Sequence, residues 1–179
     1  MFKRIIFIFV LLFFVMPVCS AAPVPISVCD EKVDGFVQRM EEFILSFKKL
    51  NAGRGPWLNR MGFNGRNNYM VAIGTTSRDS CMVHIYPNGD GSVEKVLLAR
   101  VSGNKNSIVN MGYAFACVTN ALSLTIDEVR NLSKEPSVKD ENGGSCAVYS
   151  SAQRRYIIFS YTMDDYGKDF MLFQSVDAR

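Results

Sequence analysis

The sequence predicts one α+β domain, an antiparallel β-sheet with helices packed on one face in the order α-βββ-αα-βββ, preceded by a short leader. Three observations carry this. Apolar residues fall at three-to-four spacing from Val33 to Leu50, the pattern of an amphipathic helix. Residues Cys81 to Tyr86 alternate, with Cys81, Val83 and Ile85 on one side and Met82, His84 and Tyr86 on the other, and run into the turn sequence Pro87-Asn88-Gly89-Asp90-Gly91. Single strands nowhere alternate with single helices, so a doubly wound parallel sheet is not expected.

The N-terminus reads as an export signal. Lys3 and Arg4 precede 12 unbroken apolar residues, Ile5 to Met16, and the small residues Cys19, Ser20, Ala21 and Ala22 follow. A spanning helix needs about 20 apolar residues, so this run is too short for an anchor. Cleavage after Ala21 divides the chain into a signal peptide, 1–21, and a single domain, 22–179. Losing Lys3 and Arg4 leaves 18 basic against 17 acidic residues, so the basicity of the whole chain resides largely in the leader. A mature charge near zero gives no argument for nucleic acid as a partner.

Four cysteines remain after the leader: Cys29, Cys81, Cys117 and Cys146. An even number in an exported chain predicts two disulfides, with three pairings open. None belongs to a Cys-x-x-Cys or Cys-x-x-His pair, so neither a metal nor another cofactor is expected.

Along the domain, Ser27 is the candidate N-cap of the first helix and Gly53 its stop. Residues 53 to 68 alternate glycine with arginine and asparagine around Trp57 and Phe63, which reads as an ordered loop. Strands are expected at Tyr69–Thr75, Cys81–Tyr86 and Val93–Val101. A second helix spans Ile108–Leu122. Thr125-Ile126-Asp127-Glu128 is a capping box that opens a short helix ending near Pro136. A surface loop at 137–144 leads into strands Cys146–Ser150, Arg155–Thr162 and Phe170–Val176, with Asp164-Asp165-Tyr166-Gly167 as the last turn. Two three-strand groups, each preceded by helix, have the outline of a duplication.

No catalytic constellation stands out. His84 is the only histidine, and no Gly-x-Ser-x-Gly elbow accompanies it. Glu41 and Glu42 lie off the apolar stripe of their helix, where solvation accounts for them. Asn88 to Gly91 lacks the glutamate of a calcium loop. The stretch from Phe43 to Arg78 is different, with six cations, no acid, and Trp57, Phe63 and Tyr69 interleaved among them. Arginine and tryptophan are the residue types enriched at binding hot spots, and guanidinium holds carboxylates in a fork. Arg54, Trp57, Arg60, Phe63 and Arg66 are therefore the candidate partner-binding residues. The expectation is a non-enzymatic periplasmic or secreted protein that binds a macromolecular partner, such as an inhibitor, immunity or envelope-assembly factor. The partner is another protein or an anionic envelope component. The rival readings are an envelope hydrolase built around His84 and a carrier of a small ligand or lipid.

Overall fold

The computed structural model describes residues 25–65, 67–76, 79–101, 105–134, 138–140, 143–163 and 169–176. The leader 1–21, Arg66, Arg78, Pro136 and the turn Asp164–Gly167 lie outside them. Nine strands form one antiparallel sheet: β1 (Pro25–Ile26), β2 (Trp57–Asn64), β3 (Asn68–Thr76), β4 (Asp79–Pro87), β5 (Val93–Arg100), β6 (Val138–Asp140), β7 (Gly143–Ser150), β8 (Arg155–Met163) and β9 (Asp169–Val176). The helices are α1 (Val33–Leu50), α2 (Lys105–Ala121) and α3 (Ile126–Leu132). Spatial order is β2-β3-β4-β5-β9-β8-β7-β6, with β1 laid against the end of β9.

The α+β class and the helix-bearing face are as expected; the order is not. It is β-α-ββββ-αα-ββββ, because the short β1 precedes the first helix and two segments expected as loops are strands. Residues 57–64 form β2, hydrogen-bonded to β3, and the loop at 137–144 contains β6. Glycine masked β2. The ladder shifts between Arg60 and Gly62, and Gly62 takes φ +85°, so a bulge rather than a loop explains the glycine. The order is symmetric about β5–β9, with four strands on each side.

The sheet's two faces differ. Across five strands, Val71, Val83, Leu98, Met171 and Tyr161 are register partners beneath the helices. A neighbouring row runs Tyr69, Ile85, Val96, Phe173, Phe159 and Cys146. Helix α1 lays Phe36, Val37, Met40 and Ile44 into this core, and α2 adds Met111, Ala114, Cys117 and Val118. Phe47 of α1 meets Tyr113 of α2 edge-on at 5.5 Å, while Arg39 donates to Ser123 just beyond the end of α2, so the two helices run antiparallel. Among the described residues, no helix is long and apolar enough to cross a membrane.

Local signals succeed at α3 and fail at the start of α1. Thr125 Oγ1 accepts from Glu128 N (3.3 Å), and Glu128 Oε2 accepts from Thr125 N (2.7 Å), the reciprocal capping box. Glu128 Oε1 also accepts from Ser151 N and Oγ at 2.7 and 2.9 Å, which ties α3 to the β7–β8 turn. Helix α1 starts after Lys32 with no side-chain cap. Ser27 instead contacts Ser92 Oγ at 3.0 Å, and its carbonyl accepts from Arg155, whose guanidinium also pairs with Asp30 at 2.9 and 3.0 Å.

The two expected disulfides are absent: Cys29, Cys81, Cys117 and Cys146 are all free and buried. Each acts as a small apolar side chain in the helix–sheet core. Cys81 Sγ contacts Met111 Sδ at 3.5 Å, and Cys146 donates to the Leu132 carbonyl at 3.1 Å. Burial pushes the Cys29 thiol up to about 11 and those of Cys81 and Cys117 up to about 12, so none is a thiolate at neutral pH. An even cysteine count fixes parity but not proximity, and core packing explains all four thiols without a bond.

Two expectations follow. Iodoacetamide adds one label to each of these four cysteines in urea without reductant, and labels the native domain slowly; mass spectrometry reads both, and labelling that required prior reduction would restore the disulfides. Glu128→Gln costs about 1–2 kcal/mol in urea unfolding at pH 7. Burial acts to raise the Glu128 titration, but hydrogen bonds from Ser151 and Thr125 outweigh it and hold it below its ordinary 4.5. The stabilisation is therefore complete above that pH, and the difference between parent and variant shrinks as pH falls through the depressed folded value.

Candidate functional site

The sheet ends at β2, which pairs only with β3 among the described residues. Its outer backbone groups have no strand partner, and such an edge is a template for another extended chain. Four of the five candidate partner-binding residues lie on or just before it. Trp57 opens β2 opposite Gly74 and is half-buried; a Cβ at Gly74 would meet the Asp79 backbone carbonyl first and then the indole at 2.7 Å, so glycine there allows both close approaches. Phe63 sits opposite Tyr69, edge-on at 5.1 Å, with 64% of its surface exposed. Met61, displaced by the bulge, is 51% exposed; sequence reasoning passed over it because the bulge is what turns it outward. Arg54 is exposed in the connection from α1, and Arg66 lies outside the described residues.

Arg60 has a partner within the chain. Its Nε donates to Glu41 Oε1 and its Nη2 to Glu41 Oε2, both at 2.7 Å, and Asp34 Oδ1 lies 3.8 Å from Nη1. Hydrogen bonding from the guanidinium holds Glu41 below the usual carboxylate range and moves Arg60 above its own. Glu41, assigned to solvation from its place on the helix, is thus one half of a bidentate pair. A helical wheel places it off the core stripe but cannot show that β2 passes alongside. The pair pins the edge strand to α1, giving Arg60 a positioning role and leaving Met61 and Phe63 as the exposed apolar side chains of the strand.

The sheet face opposite the helices adjoins this edge. The row Met70, His84, Leu97, Leu172, Ser160 and Ser145 crosses it in register, beside Ala72, Met82, Ala99, Phe170 and Thr162. Most are half-buried, and no described helix covers them. These rows mix apolar Met70, Leu97, Leu172, Met82 and Phe170 with polar His84, Ser160, Ser145 and Thr162, and a face of this kind is available to a partner. At the β3–β4 end, buried Asn68 donates from Nδ2 to His84 Nδ1 at 2.8 Å, which leaves the neutral ring's proton on Nε2. Burial lowers the His84 titration below 6.5. Its register neighbours Met70 and Leu97 carry no nucleophile. Among the described residues, no group of three His, Cys, Asp or Glu side chains is placed to hold a metal ion.

Breaking the Arg60–Glu41 pair gives a direct check on the edge geometry. Arg60→Ala returns Glu41 to an ordinary titration near 4.5 in carboxylate NMR and lowers stability by less than about 1 kcal/mol, since both groups are about one-third exposed. An unmoved Glu41 titration would show that the pair is not formed in solution.

No protein-family model matches this chain, and a search of curated proteins finds no match either.

Proposed function

We propose that the chain is an exported, non-enzymatic protein that binds a macromolecular partner through the β2 edge and the adjoining uncovered face. The observation that carries this is an unpaired edge strand presenting Met61 and Phe63, held to α1 by the Arg60–Glu41 pair before any partner arrives. Preorganisation lowers the entropy cost of association. A proximal cationic cluster, Lys48, Lys49 and Arg54, favours an acidic partner, and the Phe43–Arg78 stretch contains no acid.

Export rests on the sequence of the first 21 residues. Four shielded thiols are compatible with an oxidising compartment, because an oxidant meets no thiolate at the surface. Binding is favoured over hydrolysis by the surroundings of His84, whose hydrogen bond goes to an amide rather than to a nucleophile.

Capture of partners from an envelope extract tests the reading. Phe63→Ala and Met61→Ala should each reduce recovery of the partner by at least about tenfold, while the mature chain remains folded by circular dichroism. Unchanged recovery with both variants would remove β2 as the binding element.

A further inference from the structure

On the helix side of the sheet, far from β2, an apolar groove of about 450 Å³ opens between α2, the end of α3 and strands β8 and β9. Phe159, Tyr161 and Met171 form its floor, with Phe115 and Leu132 as walls. The floor is rigid, because Phe115, Phe159 and Phe173 form a mutually contacting cluster with ring centroids 5.2–5.7 Å apart. The size lies within the range of small-molecule sites.

Two features give the groove a chemistry. Gly112 lies inside α2, where glycine costs about 1 kcal/mol relative to alanine. A Cβ placed on it would meet no atom within 4 Å, so no neighbouring group requires the glycine, and its absence of side chain keeps the groove wall open. At the rim stands Lys134, exposed and without an ion-pair partner among the described residues, next to Ser133, whose hydroxyl is occupied by the Val129 carbonyl. An apolar trough with Lys134 the one cation among its described lining residues matches an amphiphile of opposite charge.

We propose that this groove binds an unbranched alkyl chain ending in an anion, with the chain over Phe159 and Met171 beside Gly112 and the anionic head at Lys134. The chemistry is common to a free fatty acid and to a single-chain anionic phospholipid. The site is separate from the β2 edge and does not depend on the partner-binding reading.

The test titrates the mature chain with dodecanoate, lysophosphatidylglycerol, dodecanol and dodecyltrimethylammonium, each below its micellar concentration, followed by amide NMR. The anionic ligands should bind and shift resonances of α2, β8 and β9, with whichever binds more tightly identifying the source. The alcohol should bind more weakly and the alkyl cation more weakly still. Gly112→Leu fills the trough while improving helix propensity, so binding should fall by at least about tenfold with an unchanged or raised thermal midpoint. Lys134→Glu should weaken the anions severalfold and leave dodecanol unaffected. Anion binding retained in Gly112→Leu, or an alkyl cation that binds as tightly as dodecanoate, overturns the proposal.

Discussion

The ladder between β5 and β9 is the constraint on which the sheet depends. It pairs Lys95–Ala99 with Phe170–Gln174 and joins the two four-stranded halves into one sheet. Each half on its own is a meander with one open side and an incomplete apolar face. Once joined, Leu98 meets Met171 and Val96 meets Phe173, and the rows beneath the helices become continuous. Helix α2 crosses β3, β4 and β5 from the first half, while Phe115 reaches Phe159 and Phe173 of the second. Covering a seam in this way makes each half's burial contingent on the other's.

Much of this was legible from periodicity. The period of 3.6 from Val33 to Leu50 and the period of 2 through Cys81–Tyr86 gave elements that the structure keeps, and the Thr125–Glu128 spacing gave a cap whose two hydrogen bonds are both present. What escaped was long-range. Glycines at 53, 55, 62 and 65 marked the β2 segment as irregular, although a single bulge at Gly62 suffices to place it in the sheet. The four cysteines were counted as a pair of bonds, whereas tertiary packing distributes them through the core as apolar side chains.

The candidate site was legible in composition and obscure in role. A run free of acids and rich in arginine and aromatics does coincide with the exposed edge. Which member faces outward depends on the pleat and the bulge: Phe63 and Met61 are free, Trp57 lies over Gly74, and Arg60 is held by Glu41 across a separation of 19 residues. The apolar groove left no trace in the sequence. Its floor comes from β8 and β9 and its walls from α2 and α3, and nothing in the spacing of these residues announces that they meet.

The first strand is paired with the last. Pro25 and Ile26 align with Val176 and Ser175, and Arg155 reaches the Ser27 carbonyl across 128 residues. Synthesis proceeds from the N-terminus, so β1 waits for its mate until β9 has been made. Until then β5 also has a bare flank. Such a topology delays closure of the sheet and lengthens the window in which the growing chain exposes apolar surface and open strand edges.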